Sequence, residues 1–153
     1  MFDTIAGLPV HPLVVHAVVV GIPVMSLVTV AMAVRRPPQP WLWLVVAANV
    51  GLLALTAVTK EAGQELERRV DPEGVDAQIE AHSSLGDKMP YFVVGLLVAS
   101  VIVAMVRRRG GVGRLVQVVA LVAAVAATVW VVRVGDSGSS AVWRDLVEFT
   151  NNN

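Results

Sequence analysis

The chain has 153 residues, enough for one domain, and 56% of them are hydrophobic while only 16% are charged, a balance that puts it outside the range of water-soluble globular proteins. Twelve basic and twelve acidic residues cancel, so net charge identifies no partner and only the placement of charge along the chain is informative. Cysteine is absent, which excludes disulfides, thiolate metal ligands, iron–sulfur ligation and covalent haem attachment.

A bilayer core of about 30 Å is crossed by roughly 20 apolar residues in a helix, the conformation that satisfies its own backbone where lipid offers no partner. Four stretches meet that requirement, at about residues 12–34, 41–59, 89–106 and 115–134. The first contains one ionisable residue, His16, and a proline, Pro23, which removes a backbone donor and leaves the Val19 carbonyl in need of another partner. Ala31-Met32-Ala33 has the look of a secretory cleavage site, but no Lys or Arg leads the run and the run is too long, so it is read as a retained span.

Residues 35–40 and 107–114 connect spans 1 to 2 and 3 to 4, and together they hold six arginines and no acid. Everything else holds six basic and twelve acidic residues. The excess of arginine in the short loops places them in the cytoplasm, with both termini and the long connection 60–88 outside. In that connection Ala62, Leu66 and Val70 recur every four residues beside a Glu65–Arg69 pair, before Asp71-Pro72 interrupts. A second helical stripe, Val75, Ile79, His82, Gly86 and Met89, predicts a helix that starts near Pro72 and continues into span 3, with His82 facing inward. After span 4, Gly135 reads as a helix stop and residues 136–140 as a turn, followed by a short interfacial helix anchored by Trp143. Small residues at Ala47 and Gly51, at Gly95 and Ala99, and at Ala120, Ala123, Ala124 and Ala127 favour close helix packing, within the chain or between chains. The expected fold is an all-α integral membrane four-helix bundle, a single domain over residues 1–153.

This topology gathers ligand-type residues on one membrane face. His11, before the helix-starting Pro12, stands at the rim of span 1, and His16 lies five residues deeper, where an imidazole is uncommon and usually turns toward a partner inside the bundle. Glu61 closes span 2, His82 opens span 3 and Asp136 follows span 4. Imidazole nitrogen and carboxylate oxygen suit zinc, copper or iron, and two histidines on different helices suit haem b. The plainer alternative is that these residues cap helix ends, pair with neighbouring charges or bond their own turns. Gly135-Asp136-Ser137-Gly138 is too short and lacks a preceding strand to count as a serine nucleophile site. The arginines lack interleaved aromatics and read as topology determinants that attract anionic lipid, not as a nucleic-acid surface. No acidic ring, interrupted helix pair or inverted repeat marks a channel or transporter.

The run Leu8-Pro9-Val10-His11-Pro12-Leu13-Val14-Val15-His16, the His82-Ser83-Ser84-Leu85-Gly86 opening of span 3, and residues 132–138 through Trp143 resemble the bacterial domain-of-unknown-function 2231 membrane family in its actinobacterial form. The resemblance implies a four-span domain, sometimes joined to Rieske-type or cytochrome modules, and hence a place near respiratory electron transfer in the bacterial plasma membrane. It directs attention to His11, His16, His82 and the 135–138 segment. Relatives commonly carry His where this chain has Asp136, an exchange of nitrogen for oxygen that suits zinc better than bis-imidazole haem at that position. The expectation is a redox-associated accessory protein binding haem b or a divalent metal, zinc or copper. His16 and His82 are its inner ligands, with His11, Asp136 or Glu61 completing the site. The alternative is a structural or assembly subunit of a respiratory or other membrane complex, without cofactor.

Overall fold

The computed structural model describes the backbone of all residues except 1–3, 6–7, 71–75, 107–109 and 152–153, and the side chains of residues 14–69, 76–106, 110–140 and 143. A two-residue antiparallel ladder, β1 (Thr4–Ile5) with β2 (Leu8–Pro9), pairs Thr4 with Pro9 and Ile5 with Leu8. Four helices follow: α1 (Val10–Arg35), α2 (Gln39–Val70), α3 (Ala77–Met105) and α4 (Gly111–Asn151). Each is long and apolar enough to cross a membrane. They pack in cyclic order, α1 on α2, α2 on α3, α3 on α4 and α4 back on α1, with α1 and α3 touching across the diagonal.

The helices begin and end where local chemistry dictates. Arg36 closes α1 in a left-handed conformation, φ 52°, with its N–H on the Met32 carbonyl at 2.9 Å. Pro40 sits in the first turn of α2, where a missing N–H costs nothing, and Gly110, φ 78°, leads into α4. Asp76 caps α3, its carboxylate accepting from the N–H groups of Gln78 at 2.8 Å and Ile79 at 3.3 Å. Thus α3 starts at Ala77 and not near Pro72, because the capping carboxylate lies at Asp76; residues 71–75 fall outside the described set. As the two helical stripes predict, the described part of the 60–88 connection is almost wholly helix, α2 and α3 both continuing past their apolar spans. The Glu65 pair anticipated there forms, to Arg69 at 2.9 Å and also to Arg68 at 3.0 Å.

The largest departure from expectation is α4. It runs unbroken for 41 residues, about 60 Å at 1.5 Å per residue, so there is neither a turn at 136–140 nor a separate interfacial helix. Ser137 and Ser139 satisfy their hydroxyls inside the helix, donating to the Val134 carbonyl at 2.8 Å and the Asp136 carbonyl at 2.9 Å. Turn-forming residues therefore bond back onto the preceding turn and do not end the helix. Trp143 is exposed on this extension.

The interior is layered. One apolar cluster, centred on Val18, Ile22, Leu52, Val93 and Val131, lies toward the end of the bundle that carries His82. A second, of Ala33, Leu42, Val103, Ala104, Val116 and Ala120, lies toward the end that carries the arginine-rich connections. Between them sits a polar layer of fully buried Thr29 and Asn49 with nearly buried Ser26 and Ser100. Asn49 Nδ2 donates to Thr29 Oγ1 at 3.3 Å, while Asn49 Oδ1 and Ser26 Oγ are buried without a hydrogen-bond partner. Ala99, Ala120, Ala124 and Ala127 pack inside the chain, whereas Ala47, Gly51 and Gly95 face outward. Two glutamine amides close the arginine end: Gln39 donates to the Ala104 carbonyl at 2.8 Å and Gln117 to the Ala33 carbonyl at 3.4 Å.

Trp130 ties α4 to α3. Its indole stacks on Phe92 at 4.5 Å between ring centroids, carries the Arg133 guanidinium over its face at 5.8 Å, and donates Nε1–H to the Leu85 carbonyl at 3.0 Å. Trp130→Phe preserves the stack and removes the donor. It should cost about 1 kcal/mol, read from reversible unfolding of the purified protein in mixed detergent; a change near zero would mean that the indole N–H adds nothing.

Candidate functional site

Four helices meet in one cavity of about 70 Å³ at the His82 end, lined by Val15, Val18 and Val19 of α1, Thr56 to Gln64 positions of α2, His82 to Met89 positions of α3, and Val131 and Val134 of α4. Because Val15 is near the start of α1 and α4 passes Val134 on its way to Asn151, the cavity lies toward the end of the bundle at which α1 begins and beyond which α4 extends. At about 30 Å³ per water, it admits two water-sized groups or the tip of a larger molecule.

His82 is its best-positioned functional group. Ser137 Oγ stands 3.0 Å from His82 Nδ1 and gives its own hydrogen to the Val134 carbonyl at 2.8 Å. With its hydrogen directed to that carbonyl, the hydroxyl can accept from Nδ1–H, a contact that fixes the orientation of the ring. The ring lies against the bare backbone of α4: a Cβ on Gly138 would stand 2.9 Å from His82 Cε1 and 3.2 Å from Nδ1. Glycine here is a requirement of side-chain packing rather than of backbone conformation.

Charged and amide groups complete the rim. Lys60 Nζ is 3.4 Å from Asp87 Oδ1, and Gln64 Nε2 donates to the same oxygen at 3.1 Å. Deeper in, Thr56 and Thr59 turn their hydroxyls back onto the Leu52 and Leu55 carbonyls, each at 2.8 Å. Above the cavity Ser83 donates to Glu67 Oε2 at 2.7 Å. Pro23 and Pro90 add a further property: neither supplies an N–H to the carbonyl four residues earlier, and those residues, Val19 and Gly86, both line the cavity.

The five residues singled out by sequence separate. His82 lines the cavity. His16 is exposed and not turned inward, because Val15, Val18, Val19 and Ile22 set the inner face of α1 and His16 is rotated about 100° from Val15. Glu61 and Asp136 are likewise exposed, each beside a neighbour that faces the site, Lys60 and Ser137. The side chain of His11 lies outside the described residues. Among the described residues no three of His, Asp and Glu converge as a metal-holding group, and Asp87 is engaged by Lys60 and Gln64. Of the four sequence-predicted residues whose side chains are described, His82 is the one that lines the cavity.

Lys60, Gln64 and Asp87 were not legible as site residues, and Ser137 entered only as part of the 135–138 segment. The available signal was weak: Lys60 and Gln64 share a helix face at i, i+4, and Ser137 belonged to a segment whose composition reads as a turn.

No curated protein and no solved structure matches the chain. A family model described as "Predicted membrane protein (DUF2231)" matches residues 7–151, a stretch that takes in all four spans, His82 and Gly138. The chain belongs to that family of multi-pass membrane proteins.

Proposed function

We propose that this chain is a binding accessory protein of the bacterial plasma membrane whose working site is the His82 cavity, opening to the extracytoplasmic side. The observation that carries this reading is the fixed imidazole: Ser137 orients it and Gly138 makes room for it, beside a small cavity rimmed by Lys60 and Asp87. The side of the membrane is supported by the six arginines of the two short connections, which the positive-inside bias assigns to the cytoplasm. The ligand is a small polar molecule, or the polar tip of a larger one. Lys60 offers donors and Asp87 offers acceptors, with the His82 ring as a further polar surface. A redox role through haem b or a divalent metal would take His82 as its one donor from the described residues and need further donors from elsewhere.

The test is to purify the full chain in detergent and record its visible spectrum, bound metals and co-purifying small molecules by mass spectrometry, for wild type and His82→Ala. The expected result is a small molecule that is present in wild type and lost in His82→Ala, without a Soret band. A Soret band or stoichiometric metal that disappears with His82 would instead establish the cofactor role. Co-purifying membrane subunits with no bound molecule would favour the structural alternative.

A further inference from the structure

All twelve carboxylates of the chain lie within residues 1–3, 61–87 or 136–148; residues 4–60 and 88–135 contain none. Arg35, Arg36 and Arg114, the described arginines of the two short connections, therefore sit at an end of the bundle with no acidic residue among its described residues. Guanidinium groups at a membrane surface draw their counter-charge from somewhere. Here the described residues of that end supply none.

The same end contains a second cavity, of about 130 Å³, lined by Met32, Arg36, Leu42, Val103, Gly113 and Val116 among others. It is the roomier of the two cavities described, about four water volumes, and a partly buried Arg36 is its charged lining residue. Arg36 also holds the left-handed conformation, φ 52°, that closes α1, a position that glycine fills without strain and arginine does not. Exposed Trp41 and Trp43 flank Leu42 of the cavity wall. Indoles collect at headgroup depth, so the cavity lies where lipid phosphates lie.

We propose that Arg36 and this cavity bind the phosphate headgroup of an anionic phospholipid, with the apolar wall of Met32, Leu42, Val103 and Val116 receiving the first carbons of its chains. The guanidinium offers paired N–H groups to phosphate oxygens, and the surrounding arginines raise the local concentration of anionic lipid. This site is separate from the His82 cavity and does not depend on what binds there.

Native mass spectrometry of the full chain, released from micelles holding equal phosphatidylglycerol and phosphatidylcholine, tests it. Phosphatidylcholine carries the same phosphate with its charge cancelled by an ammonium. Wild type should retain one phosphatidylglycerol about fivefold over phosphatidylcholine, the factor expected for one guanidinium at an anionic surface. Arg36→Gly removes the side chain while suiting the left-handed backbone, so it should fold and lose the preference. Arg68→Gln, exposed at the other end on Glu65, should leave the preference intact. Equal retention of the two lipids by wild type, or an undiminished preference in Arg36→Gly, overturns the proposal. So does displacement of the lipid by inorganic phosphate, which would make the ligand a free anion.

Discussion

Asn49→Asp should destabilise the bundle by about 3 kcal/mol, the order of the cost of placing an aspartate at the centre of a membrane helix, while Asn49→Leu should leave stability within about 1 kcal/mol of wild type. Asn49 is fully buried and ten residues into α2 from Gln39, about 15 Å, or halfway through the apolar core. Its amide donates to Thr29 and leaves Oδ1 without a partner. Leucine has the same branched skeleton, gives up one interhelical hydrogen bond and removes a buried acceptor that has nothing to accept; the two effects oppose each other. Aspartate adds charge where Ser26, Thr29 and Ser100 supply only hydroxyls. Unfolding in mixed detergent, followed by helix content, reads both variants. If Asn49→Leu proves as damaging as Asn49→Asp, the amide has a structural role beyond the Thr29 bond.

Gly135→Ala and Gly138→Ala, three residues apart in one helix, should move stability in opposite directions. Alanine is favoured over glycine in a helix interior by about 1 kcal/mol, and nothing lies within 4 Å of a Cβ at Gly135, so that variant should gain roughly this amount. At Gly138 the new methyl meets the His82 ring at 2.9 Å. The ring must move, the Ser137 bond at 3.0 Å is lost, and a crowding cost of about 1 to 3 kcal/mol outweighs the helical gain. The ¹⁵N chemical shifts of His82 should change in Gly138→Ala and stay as in wild type in Gly135→Ala. Equal gains in stability with unchanged His82 shifts would show that the ring is not held against α4. Loss of the bound molecule in Gly138→Ala would tie this packing to the proposed function.

The fold was legible because lipid makes backbone hydrogen bonding the dominant constraint, and uninterrupted apolar length reports it directly. Spans 1, 2 and 4 fall inside the helices observed and span 3 exceeds α3 by one residue, the capping Val106, and the His82 stripe places that residue at the cavity, as its spacing predicts. The segment from Gly135 to Ser140 was misread because glycine and serine favour turns in water-exposed chain. Within α4 the serine hydroxyls bond back to the helix, and Gly138 is occupied sterically by a residue 56 positions earlier in the chain. The depth of His16 was readable, but not its direction: each residue turns the helix by about 100°, and only packing selects which neighbour faces in.

What the sequence by itself determined is the membrane-spanning bundle and the segregation of charge, with six arginines and no acid in the two short connections and no carboxylate within residues 4–60 or 88–135. Those follow from solvent and electrostatics acting on each stretch separately. Only the tertiary structure decided which polar side chains share a space. His82 meets Ser137 and Gly138 across the α3–α4 contact, Lys60 meets Asp87 across α2–α3, and Asn49 meets Thr29 across α1–α2. These pairings depend on the rotation of one helix against the next, a property of packed neighbours that no single helix carries.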